Sequence, residues 1–195
     1  MKDGRINTFI ILFILLVSCR QWSNGARIEK VEPYEKYSGI INKCLINLFH
    51  EDYLSGEETI TFYDYISVDD SDKQDIRLLG NFWIMNFNQS GDTLKMVSGG
   101  NQPGEMHIRM IGEGKYEWIS FRFVNKYVKE DDYEENAKQV FGEHYDEYLE
   151  AQADLDRRQI VQSEAIADYV HNHGLSAKYY QDKGQPAIKI PFEEQ

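Results

Sequence analysis

The sequence predicts an α+β domain: an N-terminal helix, an antiparallel meander of four or five strands, C-terminal helices and a short terminal hairpin. Three observations carry that expectation. Tyr37, Ile40, Ile41, Cys44, Leu45, Leu48 and Phe49 recur at helical spacing. Between Thr59 and Val124 the chain alternates with period two, interrupted by glycine-bearing turns. From Tyr133 onward the pattern is helical again and closes on Gly174, where a helix-ending glycine belongs.

The elements follow in order. Pro33 suits the first turn of a helix running to about Tyr53, and Ser55-Gly56 marks its end. Thr59 to Val68 reads as a strand with Ile60, Phe62, Ile66 and Val68 on one side and Thr61, Tyr63 and Tyr65 on the other. Asp64 falls on the apolar side, which signals a bulge or a local exception. Asp69 to Asp75 is a charged loop. Phe82–Asn88 and Thr93–Ser98 flank the turn Gln89-Ser90-Gly91-Asp92 as a hairpin, and the run from Gly99 to Gly104 is a loop by composition. Met106, Ile108 and Met110 alternate with His107 and Arg109. Gly112-Glu113-Gly114-Lys115 then turns the chain into a last strand, Tyr116 to Val124, where Ile119, Phe121 and Phe123 share a face. Asp131-Asp132 can cap a helix over Tyr133–Phe141. A second helical stretch spans Glu143–His173 with a break near Asp154. Lys178–Tyr180 and Ala187–Ile190 form the terminal hairpin, and the helices are expected on one face of the sheet.

The N-terminus has a different grammar. Lys2 and Arg5 precede the apolar run Phe9–Val17, nine residues long. At about 1.5 Å per residue that run is too short for a bilayer core of about 30 Å, and it suits the apolar region of a secretory signal. It ends in Leu16-Val17-Ser18-Cys19: an aliphatic residue, a permissive position, a small residue and a cysteine. This resembles the lipobox of bacterial lipoproteins. The resemblance implies that residues 1–18 are removed, that Cys19 carries the lipid, and that residues 19–32 tether a domain over 33–195. It implies a location in the cell envelope, attached to the membrane through the N-terminal lipid, since two or more acyl chains hold a protein firmly. Arg20 stands where an acidic residue can retain lipoproteins at the inner membrane in some bacteria, so the outer membrane is favoured.

Charge narrows the partners. The chain holds 21 Lys and Arg against 33 Asp and Glu, for a formal net charge of −12. Loss of Lys2, Arg5 and Asp3 with the signal brings the mature chain to −13. Such a chain is unsuited to nucleic acid, whose phosphates want Lys and Arg, and suits a cationic partner. Cys44 has no second cysteine to pair with once Cys19 is lipidated, and its place in an apolar helical stripe reads as a buried structural thiol.

Motifs for catalysis are weak. The five histidines lie in neither a metalloprotease helix motif nor a paired-cysteine zinc spacing, so no metal or cofactor is expected. His171-Asn172-His173 spells a nuclease motif by letters alone and is better explained as positive charge at a helix C-terminus. The loop from Asp70 has Asp75 where a calcium loop needs glycine and Asn81 where it needs glutamate. Gly112-Glu113-Gly114-Lys115 lacks phosphate-loop spacing, and there is no Gly-x-Ser-x-Gly. Acid pairs such as Asp154 and Asp156 are expected by chance in so acidic a chain.

Two surfaces remain. Tyr116, Trp118 and Arg122 lie on the second face of the last strand, which would be an open aromatic platform if helices covered only the other face. Tyr145 and Tyr148 lie near helical spacing among acids that include Glu134 and Glu147. These seven residues are the candidate partner-binding set. They point to non-catalytic binding of a protein or peptide, of which an immunity-type inhibitor of a cationic toxin is one concrete form. The alternatives are a carbohydrate-binding lipoprotein of a glycan-uptake system, or an envelope hydrolase working through carboxylates.

Overall fold

The computed structural model describes residues 33–125 and 129–192. The expected signal, Cys19 and the expected tether lie outside the described residues. The chain forms an α+β fold: α1 (Pro33–Phe49), five long strands, β1 (Glu58–Asp69), β2 (Ile76–Ser90), β3 (Thr93–Asn101), β4 (Gly104–Gly112) and β5 (Lys115–Phe123), then α2 (Glu130–Phe141), α3 (Tyr145–Ala153), α4 (Leu155–His173) and the short strands β6 (Tyr179–Gln181) and β7 (Ile188–Lys189). No helix among the described residues is long and apolar enough to cross a membrane.

The meander is simpler than its strand count. β2 pairs with β1 along one edge and with both β3 and β4 along the other. Trp83 faces Asn101 and Gly80 faces Gly104 in one unbroken register, so β3 and β4 are one long strand interrupted at Gln102-Pro103. The Gln102 amide still donates to the Phe82 carbonyl at 2.7 Å across the interruption. Pro103 tolerates its missing N–H because its position faces away from β2, toward the end of β5, where its carbonyl accepts from Val124 at 2.8 Å. The run from Gly99 to Gly104, expected as a loop, is therefore mostly strand. A Cβ on Gly99 would strike the β2 backbone and one on Gly100 the Tyr53 hydroxyl, so these glycines mark close approach within a sheet. β6 joins β3 in parallel, which makes the sheet mixed, and β7 closes the terminal hairpin.

Both faces of the sheet are covered, not one. On the first face α1 packs Tyr37, Ile41, Cys44, Leu45 and Phe49 onto Tyr63, Ile76, Leu78, Phe82, Ile84, Met106 and Ile108. On the second, α4 lays Val161, Ile166 and Val170 over Ile60, Phe62, Trp83, Met85, Phe87 and Leu94. α2 and α3 cover Leu79 and Val124 with Val140, Phe141 and Tyr148. A strand buried on both faces loses the apolar–polar alternation that marks a half-exposed one. Ile76–Asn81 accordingly shows no alternation, and β2 begins six residues before the strand that the sequence predicts from Phe82.

Asp64 is the exception that the alternation signalled. It is buried on the α4 side, and Arg157, near the start of α4, reaches its carboxylate at 2.6 Å. The bulge in β1 falls one step later, between Tyr65 and Ser67. The helix boundaries are sharp for local reasons. Asp154 breaks the second helical stretch and accepts from the Arg157 amide at 2.9 Å, capping α4. Gly174 ends α4 in the left-handed conformation, φ 64°. α2 starts at Glu130, with Lys129 rather than Asp131-Asp132 at the capping position.

Candidate functional site

The seven candidate binding residues do not converge. A β-bulge at Ile119 explains the first part of the difference. Ser120 opposes His107 while Trp118 opposes Ile108, so Ile119 is the extra residue of β5. One extra residue flips every later side chain to the other face. Tyr116 and Trp118 before the bulge therefore share the α1 face with Phe121 and Phe123 after it. Ile119 itself is ejected toward solvent. The expected sharing of one face by Ile119, Phe121 and Phe123 does not hold.

That aromatic face is not an open platform. Tyr116 packs edge-on against Tyr37 of α1, with ring centroids 4.9 Å apart. Trp118 is half-buried against the same core, and its indole N–H has no acceptor among the described residues. Arg122, on the opposite face, pairs with Glu105 at 2.8 Å and donates to the Val140 carbonyl, tying β5 to α2.

Tyr148 belongs to the core. It stacks on Phe141 at 4.1 Å and shares a hydroxyl contact with Tyr133 at 3.0 Å, and burial pushes its hydroxyl pKa far up. Tyr145 is half-buried beside it under the Lys138 ammonium, 5.4 Å away. Glu134 pairs with Lys138 along α2, and exposed Glu147 lies 3.6 Å from His144.

Among the described residues the histidines and carboxylates show no catalytic convergence. His107 sits between Asp75 at 2.6 Å and Glu105 at 3.5 Å, while His171 and His173 close the last turn of α4. Among the described residues no three His, Cys, Asp or Glu side chains gather as metal ligands. Asp69, Asp70 and Asp75 are all held below the ordinary carboxylate range by hydrogen bonds, from Ser71, from Lys36, and from His107 respectively. A general acid needs the opposite direction. Burial lifts the Cys44 thiol to about 12, far from the range of a nucleophile.

The concave feature that does exist was not expected. A groove of about 550 Å³ runs along the outer edge of β1, walled by α1 on one side and α4 on the other. Its floor is residues 59–63 of β1. The α1 wall presents Ser38, Asn42 and Ile46, and the α4 wall Glu164, Ala165, Asp168, Tyr169, Asn172 and His173. The walls are well fixed. The Thr61 hydroxyl donates to Asn42 at 2.6 Å, and Tyr169 donates to Glu58 at 2.8 Å with His173 stacked on its ring at 3.8 Å.

The groove exists because β1 is a terminal strand of the sheet. Among the described residues β1 pairs with β2 alone. No local signal in Thr59–Tyr63 announces it, since a groove between two helices more than a hundred residues apart is a property of the assembled fold. A second, shallower concavity of about 400 Å³ between the sheet and α2 holds Arg77 and Arg122 beside Asp69, Glu105 and Glu143, with its charges largely balanced. The chain matches no protein-family model, no curated protein and no solved structure.

Proposed function

We propose that this protein is a lipid-anchored lipoprotein of the cell envelope, held through Cys19 with the outer membrane favoured, that binds a protein or peptide without chemical turnover. An immunity-type inhibitor of a cationic toxin is one concrete form. The observation that supports the binding reading is the groove along β1, with a strand as its floor and a helix on either wall. The formal charge of −12 supports a cationic ligand. The aromatic face of the last strand, expected as a platform for a protein, peptide or sugar, packs against α1 and supports none of these readings.

Two experiments test the reading. A photo-crosslinking residue at Ile46, 40% exposed on the groove wall, is compared in intact cells with one at Leu149 on α3, 46% exposed. A discrete protein adduct from Ile46 and not from Leu149 is expected. Adducts from neither position, or equally from both, overturn the groove as the receptor. For the anchor, labelled fatty acid is expected to tag the wild type and not Cys19→Ser, and equal label in both removes the lipoprotein reading.

A further inference from the structure

α1 and β5 lie side by side and run the same way, and their ring contacts fix the end from which the N-terminal segment departs. Tyr37, early in α1, packs on Tyr116 at the start of β5 with centroids 4.9 Å apart. Phe49, at the end of α1, packs on Phe121 and Phe123 at 6.1 and 5.1 Å. The start of α1 therefore lies at the end of the sheet that carries the β4–β5 turn. Lys36 and Tyr37 also reach Asp70 of the β1–β2 loop, and the Met110 amide beside the turn donates to the Lys73 carbonyl of that loop at 2.8 Å. Leu54 marks the opposite end, since its carbonyl accepts from Asn86 and Ser98. Asn86 is ten residues along β2 from Ile76, roughly 33 Å at about 3.3 Å per residue.

An exposed apolar side chain stands at the end where α1 begins. Met110 opposes Tyr116 and Gly112 opposes Lys115, so Ile111 is an extra residue of β4, as Ile119 is of β5. Ile111 is 59% exposed beside the turn. The acids of the neighbouring loop are largely answered from within. Asp70 meets Lys36 and Lys73, Asp75 meets Arg77, and Asp69 and Asp72 accept from the loop's own Ser71 and Gln74 amides. Such an end is compatible with an uncharged lipid surface, whereas a mature charge of −13 disfavours an anionic one. The bulge at Ile119 breaks the regular ladder along the outer edge of β5, which counts against a second copy pairing there.

We propose that the β4–β5 turn rests on the membrane, with Ile111 entering the interface of a zwitterionic leaflet. This rests on the lipid-anchor reading above and adds which end of the domain meets the bilayer. The tether expected over residues 19–32 spans at most about 50 Å when fully extended. It joins the domain at the start of α1, on the same end as the turn. Tethering raises the local concentration of the turn at the bilayer, so a contact too weak to recruit a free protein suffices to orient an anchored one.

The test uses the full lipidated chain in phosphatidylcholine vesicles. A nitrobenzoxadiazole fluorophore is placed on Glu113→Cys at the turn or on Leu54→Cys, whose native side chain is 71% exposed at the far end. Cys44 is buried and leaves the introduced thiol as the one to label. Nitroxide-bearing lipid is expected to quench the fluorophore at 113, with a blue shift of its emission, and to leave that at 54 unchanged. Ile111→Asp, and more mildly Ile111→Ser, should abolish the quenching at 113. Replacing half of the lipid with phosphatidylglycerol should weaken it.

Quenching at neither position, equally at both, or at 54 alone overturns the proposal. Quenching at 113 that survives both substitutions of Ile111 removes the assigned contact and overturns it as well. Fluorescence changes at 113 that follow protein density and not nitroxide lipid assign the turn to a second copy, with the same result. Flotation reads the anchor separately. Wild type that floats with the vesicles while Cys19→Ser does not keeps the anchor reading even if the turn is never quenched. Equal flotation of the two removes the anchor reading itself.

Discussion

At the residue scale, two side chains separate structural from chemical roles. Cys44 lies in the α1 stripe at 1% exposure, and its thiol is lifted to about 12 by desolvation alone. The thiolate is the reactive form, so the folded protein is expected to ignore a bulky thiol reagent at pH 8 and to react on denaturation. Rapid labelling under native conditions would contradict that placement. Asp70 is the opposite case, a half-exposed carboxylate whose hydrogen bonds come from Lys36, Lys73 and Tyr37. They hold its pKa well below the usual range, the Lys36 bond most of all. Because the folded value is depressed, its contribution to stability is complete above the ordinary carboxylate pKa of about 3.9 and fades as pH falls below that toward the folded value. A carboxyl-carbon NMR titration should find Asp70 still ionised where ordinary aspartates are half protonated, with Lys36→Met moving its midpoint upward. A wild-type midpoint near 3.9 would show that the α1–loop tie does not form in solution. Asp64 shows what a single position conceals. An acid on the apolar face of a strand is explained only by Arg157, 93 residues away.

At the element scale, the bulge of β5 gives the sharpest prediction. Tyr116, Trp118, Phe121 and Phe123 all face α1, yet the sequence places an odd spacing between Trp118 and Phe121. Deleting Ile119 removes that extra residue and leaves Tyr-Glu-Trp-Ser-Phe-Arg-Phe, a strict alternation with every aromatic still on the α1 face. The deletion is therefore expected to fold, with a stability change within about 1 kcal/mol in urea denaturation. Deleting Glu117 instead moves Tyr116 off Tyr37, which should cost several times more. Comparable losses from both deletions would mean that the bulge is itself required. The same element shows the limits of pattern reading. The sequence displays Ile119, Phe121 and Phe123 as a clean alternating face, and nothing in it marks one isoleucine as extra. Glycine composition misled similarly at Gly99–Gly104, where small residues serve close strand and ring contacts inside a ladder. The helices were legible because their stop signals are local: Asp154 as a cap, Gly174 in the left-handed conformation, and the i, i+4, i+7, i+8 stripe of α1.

At the scale of the whole molecule, the candidate site was illegible for a physical reason: its floor and two walls come from three separated stretches of chain, and only the sheet order brings them together. Charge, by contrast, could be read directly from composition, and it makes a prediction about the entire fold. Thirty-three acids against 21 basic residues leave a formal −12 on the chain, so the folded state concentrates like charge. Opposing this are cross-surface pairs, including Lys36–Asp70, Arg77–Asp75, Arg109–Glu117 and Lys138–Glu134, in each of which both side chains are at least a third exposed. Exposed pairs contribute about 0–1 kcal/mol apiece and are screened by salt, so added salt weakens them a little. The net repulsion is summed over every charge within a Debye length, which is about 30 Å at 0.01 M and about 8 Å at 0.15 M, and it weakens more. The Arg157–Asp64 pair, whose carboxylate is buried while its guanidinium is about half exposed, is screened less than the pairs exposed on both sides. Raising sodium chloride from 0.01 to 0.15 M is therefore expected to stabilise the protein by about 1 kcal/mol, or about 2–4 °C in Tm for a domain of this size. Replacing exposed acids that lack a basic neighbour should raise Tm at low salt and shrink the salt response in proportion. A Tm that falls with added salt would mean that the surface pairs outweigh the net charge and that the acidity is locally neutralised. The long-range field invoked for attracting a basic partner would then be too weak to act.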